Sequence, residues 1–174
     1  SGAAASGGYY IACQADTIVA QPSTVTGSIG VISIGLNLSE LYKSLGINKE
    51  VLKRGEFSDF LTQSREVSEQ ENRKMVESTE YFYKEFKDRV LDGRKNLNSE
   101  QLEELALGRI WSGKTAFENG LVDEIGGIHK SIDIAKSMAG LQDVDVDVIE
   151  YPQNSNPSSF SKENKNAQQQ SKLI

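Results

Sequence analysis

Gly2-Ala3-Ala4-Ala5-Ser6-Gly7-Gly8-Tyr9-Tyr10-Ile11-Ala12-Cys13-Gln14-Ala15 is small at first and apolar later. Short side chains let a helix approach its neighbours closely, and a sheltered helix need not carry charge, so the run is expected to be one buried helix. Thr17-Ile18-Val19-Ala20 follows as a short β-branched run between Asp16 and Pro22, expected as a buried strand. Thr26-Gly27-Ser28-Ile29-Gly30-Val31-Ile32-Ser33-Ile34-Gly35 then mixes turn glycines with a second β-rich run. Strand and helix signals that alternate in this way indicate an α/β fold.

Further along, Asn37 or Ser39 can cap a short helix through Leu45, with Gly46 as its stop. Glu50-Val51-Leu52-Lys53 reads as another strand. Ser68-Glu69-Gln70-Glu71 is a capping box, and Met75, Thr79, Phe82, Phe86 and Val90 recur at helical spacing to about Gly93. Asn98 and Ser112 are expected to cap two more helices, the second ending at Gly120, and a last helix is expected from about Ile128 to Ala139. Val144 to Tyr151 alternates Asp with Val and Ile, as an edge strand would. After Pro152 the composition turns to Asn, Ser, Gln and Lys, too polar to offset chain entropy by burial. Residues 1–151 are thus expected to form the folded part and 152–174 a disordered polar tail.

The bulk composition narrows the function classes. A chain of 174 residues with 37% hydrophobic and 25% charged content can bury a sizeable core as a single domain. A net charge of −6 with scattered basic residues argues against nucleic acid as a partner. Cys13 is the only cysteine and His129 the only histidine, which excludes a disulfide framework and disfavours a thiolate or His-based metal site. The longest uncharged stretch, Thr17 to Ser39, is rich in Ser, Thr and Gly and is no membrane helix. The chain opens at Ser1 without Met and is read as a piece of a longer protein, with any signal or anchor expected upstream.

Ser6 is the first candidate for chemistry. A serine followed by glycine at a helix start would have free amides and the positive dipole end beside it, and Gly7 permits close approach of a substrate. The same residues also read as a flexible helix entry, and the hydrolase elbow G-x-S-x-G is not satisfied, because Ala4 stands at its first glycine. Ser28, in Thr26-Gly27-Ser28-Ile29-Gly30, is by itself a turn hydroxyl. His129 sits beside Lys130 at a late helix start and reads as a surface residue, which disfavours a His-dependent triad. Asp143, Asp145 and Asp147 share one strand face without the spacing or glycine turn of a calcium loop, so no metal is expected there. Tyr9 and Tyr10 could line a groove, although aromatics on an apolar helix are usually core.

Taken together and in order, four segments resemble the signal peptide peptidase A (protease IV) family. They are Ala5-Ser6-Gly7-Gly8-Tyr9-Tyr10, then Ala20 to Val31, then Gly108-Arg109-Ile110-Trp111-Ser112-Gly113-Lys114-Thr115-Ala116, and Asn119-Gly120-Leu121-Val122-Asp123-Glu124-Ile125-Gly126-Gly127. The resemblance implies a ClpP/crotonase-like β/α spiral, here incomplete at its N-terminal side. It implies Ser6 as nucleophile, Ser28 as the serine that hydrogen-bonds a catalytic lysine, and the Gly7 amide as half of the oxyanion hole. It further implies a Ser-Lys endopeptidase acting on membrane-associated or remnant signal peptides and assembling as a homo-oligomer. A membrane location follows by the same resemblance, at the bacterial cytoplasmic membrane with the catalytic domain outside the cytoplasm. No cofactor is expected.

The general base is where the chain departs from that pattern. Single-repeat relatives carry the lysine in a K-S-G-x-x-K-D-like segment, which here reads Lys53-Arg54-Gly55-Glu56-Phe57-Ser58-Asp59, with Ser58 in the lysine's place. Lys53 lies several positions back, too far along a chain that advances ~3.3 Å per residue. Two-repeat members take the lysine from their first half, which makes an upstream source the first expectation. The alternative is a catalytically incomplete domain that serves assembly or peptide binding. Acyl-CoA chemistry on the same fold is a weaker third reading.

Overall fold

The computed structural model describes residues 2–149. The expected tail over 152–174 lies outside the described residues, as does the boundary at 151/152. The chain divides into two compact units, Ser1–Ala135 and Lys136–Ile174.

The first unit opens differently from the single expected helix. Ala3–Ala5 form strand β1, and helix α1 covers only Gly7–Ala12. Three alanines carry no β signal of their own; they become a strand by pairing in parallel with β3, Val25–Gly27, in the register Ala3↔Val25, Ala4↔Thr26, Ala5↔Gly27. The Thr26 hydroxyl reinforces the pair by donating to the Ala4 carbonyl at 2.8 Å. On the other side of β3, strand β4 (Ile110–Ser112) runs antiparallel. Strand β2, Val19–Ala20, forms where the β-branched run predicts it and pairs in parallel with β5, Glu124–Ile125. Among the described residues two small sheets and six helices make the architecture α/β.

Helix α2 spans Ser39–Ser44, with the Asn37 side chain accepting from the Ser39 amide at 3.0 Å and Gly46 at φ +67° beyond its end. No strand forms over Glu50–Lys53, nor over 144–149. In both places the β-prone residues find no partner to pair with, and propensity without pairing does not make a strand. Helix α3, Glu69–Gly93, starts at the expected capping box, Ser68 accepting from the Glu71 amide at 3.2 Å and Glu71 from the Ser68 amide at 2.8 Å. Asn98 and Gln101 close a second capping box at helix α4, Ser99–Leu105. Ser112 caps helix α5, Gly113–Glu118, and helix α6 covers Ile128–Met138. In the second unit, the end of α6 turns at Gly140, where the Leu141 amide donates to the Lys136 carbonyl at 2.8 Å.

The core is built from one face of each of several elements. Tyr9 and Cys13 of the α1 segment meet Phe86 and Val90 of α3, Leu102 and Ala106 at α4, Ala116 of α5, and Leu121 and Val122. Burial of each of the larger aliphatic side chains is worth about 1.5–3 kcal/mol. Polar groups inside are partnered. The Tyr9 hydroxyl donates to the Leu121 carbonyl at 2.7 Å, and burial pushes its pKa further up. Arg94, only 2% exposed, leaves the end of α3 and enters the core. Its Nε donates to the Cys13 carbonyl at 3.0 Å, and its terminal nitrogens reach the Ala15 carbonyl and the Asp123 carboxylate. Asp123 also accepts from the Ile18 amide at 2.7 Å.

Replacing Arg94 with methionine keeps the aliphatic packing but strands two carbonyls and a carboxylate. We expect Arg94→Met to lower unfolding free energy by about 3–5 kcal/mol, measured by urea denaturation at neutral pH; a change within ~0.5 kcal/mol, the size of an ordinary surface substitution, would show that the guanidinium is dispensable.

Candidate active site

Ser6 stands between β1 and α1, at φ 52° and ψ −120°. It is exposed, and its side chain makes no capping bond to the helix it precedes. Its amide continues the strand pairing by donating to the Gly27 carbonyl at 2.9 Å. The first intrahelical bond of α1 runs from the Tyr10 amide to the Ser6 carbonyl at 2.9 Å, so the amides of Gly7 and Gly8 have no partner within the helix.

Ser28 is the next residue after β3, as Ser6 is after β1. Because Ala5 pairs with Gly27, the two serines leave adjacent parallel strands at the same level, and both take φ 52°. The Gly108–Trp111 segment fixes Ser28. The Arg109 carbonyl accepts from the Ser28 amide at 2.7 Å, and the Gly108 amide donates to the Ile29 carbonyl at 3.0 Å. This contact explains two glycines. Gly27 takes φ +74° and a Cβ there would lie 2.6 Å from Trp111 Cδ1, while a Cβ on Gly30 would lie 2.9 Å from the Gly108 backbone. The Trp111 indole is itself anchored by donating to the Leu105 carbonyl at 2.9 Å.

Two adjoining lobes of one cleft open at Ser6. The larger, about 600 Å³, is lined by Ser6, Ser28, Gly30, Val31 and Ile32, by Thr79, Glu80 and Tyr83 of α3, and by Leu107 and Gly108. The smaller, about 320 Å³, has Ser6, Gly7 and Tyr10 on one side and Phe82, Glu85 and Phe86 of α3 on the other. Gly30, Val31 and Ile32 border both. The larger volume falls in the usual range of binding clefts. Of the four non-glycine residues with positive φ among those described, Ser6, Ser28 and Leu107 line it. Backbone strain of this kind gathers at functional sites.

The structure therefore brings Ser6, Gly7 and Ser28 to one place. It does not bring Lys53 or Ser58 there. Lys53 pairs with Asp59 at 3.0 Å, and the Ser58 hydroxyl donates to the Gly55 carbonyl at 3.0 Å within a turn. Among the described residues no lysine or arginine lines either lobe. His129 is exposed, and among the described residues no cluster could hold a metal ion. Tyr9 is core, whereas Tyr10 borders the smaller lobe and meets Phe86 edge-on at 5.1 Å.

The α3 wall of the cleft was not read from the sequence. Thr79 and Phe82 share the helical spacing of the core residues Phe86 and Val90, yet they border the cleft, and Phe82 is largely exposed. The signal available was the length of α3, 25 residues, too long for a single core to cover. Nor was the ion cluster that ties the Ser58 turn to α3 foreseen. Arg65 bridges Asp59 at 2.9 Å and Glu71 at 2.7 Å. The Arg65 guanidinium holds both carboxyls well below the usual range, Glu71 down to about 2 with help from the Ser68 amide.

An exposed serine between a parallel strand and a short helix, with open amides after it and a cleft before it, is the candidate site of this α/β protein. The comparisons with known proteins are specific. Residues 1–145 match the model of peptidase family S49, and the chain belongs to that family. It is 43% identical over 148 residues to a putative signal peptide peptidase SppA of Enterococcus faecium, covering 85% of this chain and 42% of that protein. It is 39% identical over 142 residues to the chloroplastic serine protease SPPA of Arabidopsis thaliana, covering 81% and 21%. Protease 4 of Salmonella typhi is 36% identical over 141 residues, with 81% and 22% covered. The chain thus spans between about a fifth and under half of the length of these relatives. The resemblance to the signal peptide peptidase A family holds over most of the chain.

A folded-state pKa below the unfolded one stabilises above the unfolded value and loses that contribution as pH falls toward the folded value. For Glu71 the window runs from 4.5 down to about 2. We expect Glu71→Gln to lower Tm at pH 6 and the difference from wild type to shrink through this window, as followed by circular dichroism melts; a pH-independent difference would mean that only the cap, and not its charge, matters.

Proposed function

We propose that this chain carries the nucleophile-bearing part of a serine endopeptidase of the Ser-Lys type. The observation that supports it most is the shared level of Ser6 and Ser28 at the ends of paired parallel strands, with strained backbone at both and a cleft in front. In this reading Ser6 Oγ attacks the scissile carbonyl and passes its proton to a neutral lysine. Ser28 accepts a hydrogen bond from that lysine and orients it. The tetrahedral oxyanion is held by the Gly7 amide and by a second amide from elsewhere in the full protein. Collapse expels the amine product, which takes the proton from the lysine, and water then hydrolyses the acyl-enzyme.

The lysine would come from an upstream part of the full-length chain or from a neighbouring subunit, since Ser58 occupies a hydrogen-bonded turn in the place where the single-repeat pattern has lysine. The whole fold would be a ClpP/crotonase-like β/α spiral completed by that upstream part, and a ring or bowl of identical subunits would bring the parts together. Substrates would be apolar peptides in extended form, such as remnant signal peptides, met at the bacterial cytoplasmic membrane on its non-cytoplasmic face. Among the described residues no helix is long and apolar enough to cross a membrane, so the anchor belongs to the proposal too.

The second reading is a peptidase-like domain without catalysis, kept for assembly or peptide binding. It is favoured by one observation: among the described residues no lysine lines either lobe of the cleft.

Labelling with a fluorophosphonate probe separates the two. We expect the full-length protein to label, Ser6→Ala to abolish labelling, and Ser28→Ala to slow it by less than the roughly 10²–10⁴-fold that a general base contributes, because Ser28 orients the base and is not the base itself. A full-length protein that stays unlabelled beside a reactive Ser-Lys peptidase would favour the binding domain.

A further inference from the structure

Helix α3 presents a row of carboxylates, and most are neutralised. Glu71 meets Arg65, Glu77 meets Lys74, Glu85 meets Arg89 and Asp88 meets Lys84. Glu80 is different. Its carboxylate makes no ion pair or side-chain hydrogen bond among the described residues, and it stands on the wall of the larger lobe with Ser6 and Ser28. Its neighbours do not quench it either. The Tyr83 hydroxyl is committed to Glu103 at 3.3 Å and to the Leu107 amide at 3.3 Å, and Thr79 Oγ1 bonds the Met75 carbonyl and Ser33. In the smaller lobe the one carboxylate, Glu85, is already held by Arg89 at 2.8 Å, leaving Tyr10, Phe82, Phe86, Val31 and Ile32 to set an apolar character.

From this division we infer that the cleft selects peptides by two features at once, an apolar side chain in the smaller lobe and a basic side chain facing Glu80 in the larger. Ser6 borders both lobes, so the scissile bond lies between the two anchors. The inference rests on the peptidase reading and narrows its substrates to segments that join a basic residue to an apolar one. A lysine or arginine side chain is apolar along its stem and charged at its tip, and Val31, Ile32 and Leu107 would line the stem while Glu80 receives the tip. Glu80 is exposed, so the pairing is screened by salt and the preference belongs to low ionic strength. Among the described residues of this chain no lysine or arginine lines either lobe, so the cation that competes for the carboxylate is the proposed lysine base from outside them.

The test uses the full-length protein and fluorogenic peptides that differ only by lysine or norleucine, placed in turn at each position flanking one apolar residue. At one position lysine should be favoured about two- to five-fold in kcat/KM at low salt. Glu80→Gln should erase that ratio, while Glu77→Gln, which removes the same charge from the same helix outside the cleft, should keep it. The same ratio should appear in Kd when the peptides are titrated by fluorescence anisotropy onto Ser6→Ala protein. Absence of cleavage alone would count against the peptidase reading, and the binding ratio would still decide the role of Glu80. A lysine-to-norleucine ratio near one at every position, or one that survives Glu80→Gln, overturns the inference.

Discussion

The guanidinium of Arg94 joins parts of the chain that lie far apart in sequence. It takes the Cys13 and Ala15 carbonyls at the end of the α1 segment and the Asp123 carboxylate ahead of β5, and Asp123 in turn holds the Ile18 amide ahead of β2. A buried cation is costly unless every donor is used, and here the partners satisfy it on several sides. The consequence reaches the cleft. Helix α1 is short, with Ser6 at one end and the Arg94 contacts at the other, and Tyr9 between them bonds the Leu121 carbonyl. A helix of so few residues has little stability of its own. Its direction, and so the position of Ser6, is set by what grips its far end.

The near end is fixed by a different device. The Thr26–Gly30 and Gly108–Trp111 segments lock through main-chain bonds, and the space each leaves is too small for a Cβ on Gly27 or Gly30. Strain at Ser6, Ser28 and Leu107 costs on the order of 1–3 kcal/mol per residue and persists because these contacts leave the backbone no relaxed alternative. The segments that carry the family resemblance therefore meet physically: the Tyr9 hydroxyl bonds the Leu121 carbonyl, Trp111 seats Gly27, and Arg109 holds Ser28 through its carbonyl.

What could be read beforehand follows from how local each cause is. Capping boxes need only residues three apart, and the starts of α3 and α4 stand where Ser68 and Asn98 put them. Ala3–Ala5 could not be recognised as a strand, since only the distant Val25–Gly27 makes it one. Glu50–Lys53 erred the other way, with strand-prone residues and no partner. Ser6, Gly7 and Ser28 were legible through their motifs, and the structure brings them to one cleft. The opposite wall was not, because Thr79, Glu80 and Phe82 look in sequence like one more turn of an amphipathic helix, and whether such a turn faces a core or a cavity depends on what lies across from it.

The proposed base and the proposed selector of basic side chains act on each other. A lysine can take the serine proton only while neutral, and a nearby carboxylate favours its charged form. An unpaired Glu80 in the same lobe as Ser6 and Ser28 would thus oppose a lysine base in the empty cleft. When a basic side chain of the substrate meets Glu80, its charge is neutralised, and desolvation by the bound peptide then favours the neutral lysine. The same carboxylate that recognises the peptide would raise the protonated fraction of the base until the peptide arrives. On this account the charge of the cleft wall would slow the exposed Ser6 of the resting protein without abolishing its reaction with a small probe.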